Sequence, residues 1–185
     1  MQREVQQNVQ QEVQQEPMAD ACRFDRQDFR RALGQFSTGV TVVTTRASDG
    51  RRVGMTANSF SSVSLDPPLV LWSLSRNAPS VADFTGASHF AINVLAAHQH
   101  RLSRRFATPL PDKFGGVDCC EGTAGVPLLD GAIARFVCRN VRQYDGGDHL
   151  IFIGEVERYD RVDGEPLVFH AGRYQVTARH PECVQ

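Results

Sequence analysis

No apolar run in this chain of 185 residues approaches the roughly 20 residues that a membrane-crossing helix requires, and no membrane association is expected. Charge of one sign is also lacking. Twenty basic residues against 21 acidic ones leave a formal net charge of -1, too little field to draw nucleic acid or anionic lipid onto the surface. The five cysteines (Cys22, Cys119, Cys120, Cys138 and Cys183) contain no CxxC pair. Their odd number leaves at least one outside any set of internal disulfides, and the expectation is a reduced, cytoplasmic setting. No GxGxxG follows a strand, which excludes a Rossmann dinucleotide site. His98-x-His100 is the one suggestive histidine spacing, and without a cysteine or carboxylate close by it is read as solvated, so no metal is expected.

What is present fits one domain with a single sizeable core. Residues 1–20 are dominated by Gln, with Val5, Val9 and Val13 four apart, and lack the parts of a secretory signal. They are read as a low-complexity tail outside the folded domain, with Met18 as an alternative start. Cys119 and Cys120 sit between Asp118 and Glu121, where negative charge disfavours a thiolate, and are read as structural.

From Phe24 the character changes. Asp25 is a plausible N-cap for a short helix carrying Phe29, Leu33 and Phe36 at helical spacing. Val40 to Thr45 is β-branched throughout, and Ser48-Asp49-Gly50 signals a hairpin turn leading into Val53 and Met55. Further strands are predicted at Leu69 to Leu74, Phe90 to Leu95, Ala132 to Cys138, His149 to Val156 and Pro166 to His170. Only two other helices are credible, at Val81 to Phe84 and at Gln99 to Phe106. So strand-heavy a series, poor in crossover helices, predicts a mainly β fold: an antiparallel barrel, closed or nearly closed, with a few short peripheral helices.

The stretch Gly54-Met-Thr-Ala-Asn-Ser-Phe-Ser-Ser-Val-Ser64 ends a strand and is dense in small and hydroxyl side chains before the stop at Pro67-Pro68. Freed backbone N–H groups and hydroxyls at a strand end can surround a phosphate or the polar edge of a flat heterocycle. An ordinary Ser-rich loop has the same composition. His149 follows the turn Asp145-Gly-Gly-Asp148 and opens an apolar strand. Its spacing is compatible with a satisfied core histidine or with a ring facing a pocket and oriented by Asp148.

The order of the segments strongly resembles the short-chain flavin reductase family, the reductase components of two-component flavin-dependent monooxygenases. The resemblance spans about Phe24 to Tyr174. It is carried by Phe36-Ser-Thr-Gly-Val-Thr-Val-Val-Thr44, the Gly54 to Leu71 stretch, Phe90-Ala-Ile-Asn-Val-Leu95, Gly147-Asp-His149 and Gly172-Arg-Tyr174. It implies an FMN-binding split β-barrel over residues 24–178, working as a homodimer, that passes hydride from NADH or NADPH to FMN or FAD and supplies a partner monooxygenase. Carried over by position, Thr56, Ala57, Asn58 and Ser59 would line the isoalloxazine. Ser62, Ser64 and the Ser75-Arg76-Asn77 turn would lie near the ribityl phosphate, with Asn93, Phe106 and Ala107 completing the pocket. The resemblance makes His149 the contact to the nicotinamide nucleotide and the candidate catalytic residue. It sets Arg173 and Tyr174 at the cofactor site, where barrel closure is their other reading. A flavin brings its own reactive atom, so the lack of a catalytic triad does not count against an enzyme. Two alternatives stand beside this reading: a split-barrel FMN-dependent oxidase of a small substrate, and a flavin-binding module without turnover.

Overall fold

The structure is a computed structural model and describes residues 25–183. The expectations for the Gln-rich segment 1–20, for Met18 and for Cys22 fall outside these residues. Helix α1 (Arg26–Leu33) begins where Asp25 accepts a 2.8 Å hydrogen bond from the backbone N–H of Gln27, the expected cap. Its apolar stripe is not part of the buried core among the described residues: Leu33 and Phe36 stay 61% and 79% exposed.

Strands β1 (Thr38–Gly39), β2 (Thr41–Arg46), β3 (Arg52–Ala57), β4 (Ser61–Leu65) and β5 (Pro68–Ser75) follow in order. The β2–β3 hairpin turns through Gly50, whose φ of 82° favours glycine. Helix α2 (Val81–Gly86), β6 (His89–Val94) and helix α3 (His100–Ala107) come next. The chain then forms β7 (Cys119–Glu121), β8 (Pro127–Leu129), β9 (Ala134–Gly146), β10 (His149–Arg161), β11 (Val168–His170) and β12 (Arg173–Gln175).

The main sheet has seven strands in the order β3-β2-β6-β9-β10-β5-β4, all antiparallel. Strands β1, β11 and β12 form a second sheet, and β7 pairs with β8. Along β5 the pleat points Val70, Trp72 and Leu74 into the core. There the Trp72 ring stacks on Phe152 with centroids 4.7 Å apart and meets Phe84 edge-on at 4.9 Å. A second cluster joins Val40, Val42, Leu95, Phe106, Phe114, Leu129 and Leu167.

The sheet curls but does not close by hydrogen bonding. Its edge strands β3 and β4 do not pair with each other, and the split runs between them. Ser59 splints this seam to β5: its hydroxyl donates to the Ser73 carbonyl at 3.1 Å and accepts from the Ser73 N–H at 2.9 Å. The hairpin β9–β10 is longer than the apolar runs predicted. Beyond Cys138 the strand continues through Arg139, Asn140, Arg142 and Gln143, where solvent replaces the core on one face and the hydrophobic pattern lapses.

Candidate functional site

Two adjoining cavities open beside the end of β3, and both are lined by Met55, Thr56 and Ala78. The smaller, about 470 Å³, lies between the end of β3, the end of β5 and the turn of the β9–β10 hairpin. Ala57, Asn58, Ser59, Ser73, Ser75 and His149 contribute to its wall. Pairing sets His149 directly opposite Ser75. The larger, about 840 Å³, is bounded by β3, the start of α2, the end of α3 and residues 109–114, with Phe106, Phe114, Leu110 and Pro109 giving it an apolar wall.

The strand end is built for close approach. A Cβ placed on Gly54 would lie 2.6 Å from the Phe106 ring and 3.2 Å from Phe114, so only glycine lets these two rings, packed edge-to-face at 5.0 Å, sit against β3. Thr56 donates its hydroxyl proton to the Ser103 carbonyl of α3 at 2.6 Å, which leaves lone pairs on the cavity side. The His149 Nδ1 sits 2.7 Å from the Asp148 carboxylate. That hydrogen bond, with the charge interaction beside it, holds the Asp148 carboxyl below the usual carboxylate range. The Lys113 ammonium is also shifted down, but by burial, which disfavours its charged form.

The structure gathers Thr56, Ala57, Asn58, Ser59 and His149 around the smaller cavity, and Phe106 and Ala107 at the larger. Others of the expected set lie elsewhere. Asn93 is fully buried and spends its amide inside the fold, donating to the Val42 carbonyl at 3.0 Å and the Thr44 hydroxyl at 3.2 Å and accepting from Leu129 N–H at 2.8 Å. It ties β6 to β2 and β8 and lines neither cavity. Arg76 turns to the β9–β10 hairpin, donating to the Gly147 carbonyl at 3.0 Å and pairing with Asp145; it braces the turn that carries His149. Ser62 and Ser64 pair along β4 with Val70 and Leu69, outside both walls. The Tyr174 hydroxyl shares a 2.8 Å hydrogen bond with Ser103, and Arg173 is exposed on β12; neither lines a cavity.

Sequence reasoning stopped at Ala107 and missed the other wall of the larger cavity, residues 109–114, together with Arg51, Arg52 and Asp83. The signal was a lone Lys113-Phe114 pair inside the Pro, Asp and Gly punctuation of residues 109–116.

With this geometry in hand, comparison with known proteins is specific. The flavin reductase like domain matches residues 33–178. The chain is 49% identical over 148 residues to the FMN reductase (NADH) SmoA of Agrobacterium fabrum, covering 80% of this chain and 84% of that protein. It is 43% identical over 153 residues to the reductase component of flavin-dependent trigonelline monooxygenase from Acinetobacter baylyi. That match covers 83% of this chain but 49% of that longer protein. Among solved structures, Streptomyces globisporus NADH:FAD oxidoreductase SgcE6 in complex with NAD and FAD fragments superposes with a TM-score of 0.80 at 43% identity, covering 86% of this chain and 96% of that one.

Proposed function

The chain belongs to the flavin reductase like family, and from that membership we propose that it is an NAD(P)H:flavin oxidoreductase, taking hydride from NADH or NADPH to FMN or FAD. The observation that carries this reading is the pair of contiguous cavities with Met55 and Thr56 in their common wall. Hydride transfer between two flat rings needs them held roughly 3–3.5 Å apart and shielded, with no protein nucleophile. Both volumes lie in the range of about 300–1,000 Å³ usual for small-molecule sites. The apolar wall of Phe106 and Phe114, admitted by Gly54, suits a ring; the hydroxyls and amide of Asn58, Ser73 and Ser75 suit polar substituents and phosphate.

A bound flavin supplies the hydride-accepting nitrogen, and the chain's own groups position and shield. His149, steadied through Nδ1 by Asp148, leaves Nε2 as the ring nitrogen available to the nicotinamide nucleotide. Thr56 offers an acceptor to an N–H of the ring. Arg76 and Asp145 hold the turn beneath His149.

The reduced flavin goes on to a partner monooxygenase in this reading, which the kinship with reductase components supports. We further infer a homodimer. The exposed Leu33 and Phe36 and the outer edge of β4, with Leu65 94% exposed, are the kind of surface a second copy covers. Cys119, Cys120 and Cys138 are free thiols, in keeping with a reducing, cytoplasmic setting.

The test is a steady-state matrix of NADH and NADPH against FMN, FAD and riboflavin, followed by nucleotide absorbance. Flavin-dependent oxidation of at least one nucleotide is expected. Retained flavin with no turnover would make the protein a binding module instead. Light scattering that finds a flavin-binding monomer would remove the dimer.

A further inference from the structure

The larger cavity holds two cations that have no ion pair among the described residues. Its other charges are spoken for. Arg51 pairs with Asp83 at 3.1 Å, and one Asp112 oxygen accepts the backbone N–H groups of Phe114 and Gly115 at 2.9 and 3.0 Å. That leaves Arg52 and Lys113. The Arg52 guanidinium lies 5.0 Å from the centre of the Phe114 ring and donates to Cys119 Sγ at 3.3 Å. The Lys113 ammonium donates to the carbonyls of Phe106 at 2.8 Å and Gly54 at 3.3 Å. Among the described residues neither cation is paired with a carboxylate where it flanks the aromatic wall, and Lys113, half-buried there, gains most from an anion brought in by a ligand.

The shape of the wall says which anion. A phosphate is held by several converging N–H and hydroxyl donors. Those donors, from Asn58, Ser73 and Ser75, gather in the smaller cavity, whereas Arg52 and Lys113 stand beside Phe106, Phe114 and Leu110, a surface for a flat ring. The activity proposed above makes a flat anion. Hydride leaves the nicotinamide C4 with both electrons of its bond and forms a bond to flavin N5; the nicotinamide is oxidised and the flavin reduced. No proton accompanies the hydride, so a neutral ring becomes an anion whose charge spreads over N1 and the C2 carbonyl.

We propose that Lys113, assisted by Arg52, is the counter-cation of the reduced flavin ring, so that the site binds the anionic product more tightly than the oxidised substrate. This rests on the flavin reductase reading. The consequence is that reduced flavin is retained for transfer to a partner, and that the bound flavin is easier to reduce than the free one.

The test is binding of oxidised and of reduced FMN under anaerobic conditions to the full-length protein and to Lys113→Met, Lys113→Arg and Arg52→Gln, with riboflavin as a second ligand. Lys113→Met should weaken reduced FMN and reduced riboflavin by about ten-fold or more, as for loss of a charge-assisted hydrogen bond. Oxidised forms should stay within about two-fold, Lys113→Arg should restore the preference, and the exposed Arg52→Gln should give a smaller loss of the same sign. Equal weakening of both redox states, a loss seen with FMN but not riboflavin, or no change would each overturn the proposal. A wild-type protein that binds no flavin in either state would instead bring down the underlying reading of the activity.

Discussion

Thr56 and Ser103 are joined by a 2.6 Å hydrogen bond from the Thr56 hydroxyl to the Ser103 carbonyl, and Ser103 is fully buried. This contact locks the end of β3 to α3 and fixes the polarity of the one hydroxyl that lines both cavities. Thr56→Val keeps the shape but removes this link between β3 and α3, while the Ser103 carbonyl keeps its place in the helix ladder. It should cost about 0.5–1.5 kcal/mol of stability, the usual net worth of one hydrogen bond, and raise the flavin KM. Thr56→Ser should stay near wild type in both. Urea denaturation beside flavin kinetics checks the pair.

Gly54 makes a packing prediction. Because a Cβ there would fall 2.6 Å from Phe106, Gly54→Ala must push that ring toward the larger cavity. Overpacking of this kind costs about 1–3 kcal/mol. Flavin affinity should drop along with the melting temperature. Gly39→Ala, where nothing lies within 4 Å, is the control and should leave flavin affinity unchanged.

His149 should matter to the nucleotide more than to the flavin. His149→Ala is expected to raise the NAD(P)H KM by on the order of ten-fold, as for one lost hydrogen bond, with a smaller change for flavin. An unchanged nucleotide KM would remove His149 from the site.

The same pair has a pH signature. With the Asp148 carboxyl held below its ordinary range by His149, the pair's mutual stabilisation is present above the ordinary carboxylate pKa and is lost as pH falls through the lowered value. Carboxyl NMR should find Asp148 titrating low in the wild type and moving back up in His149→Ala.

Cys138 offers a chemical check on the core. Burial, with the negative charge of Glu157 nearby, pushes its thiol up to about 12, so it has almost no thiolate near neutral pH. Iodoacetamide at pH 8 should label exposed Cys120 in the native protein and spare Cys138 until denaturant opens the sheet. Mass spectrometry of the digested protein reads this directly.

Much of the fold was legible locally. The β-branched run at Val42 and Val43, the turn at Asp49-Gly50 and the cap at Asp25 each report their own backbone conformation, since sterics and local hydrogen bonds act within a few residues. Legible too was the segment containing Thr56, Asn58 and Ser59, because small polar residues at a strand end are a local pattern. Asn93 misled for the complementary reason. An amide inside an apolar strand has the same local signature whether it faces a ligand or, as here, satisfies Val42 and Leu129 across three strands.

The sequence by itself determined the element types and the antiparallel mainly β class, since these rest on periodicity along the chain, and it carried the segments whose resemblance to the flavin reductase family points to a flavin. Only the tertiary structure decided where the barrel stays split, which cavity each side chain joins, and that Arg52 and Lys113 meet on one aromatic wall. Those facts depend on strands β3 and β4 failing to pair and on α3 and residues 109–114 folding back over β3, contacts between segments about 50 to 60 residues apart that no local pattern encodes.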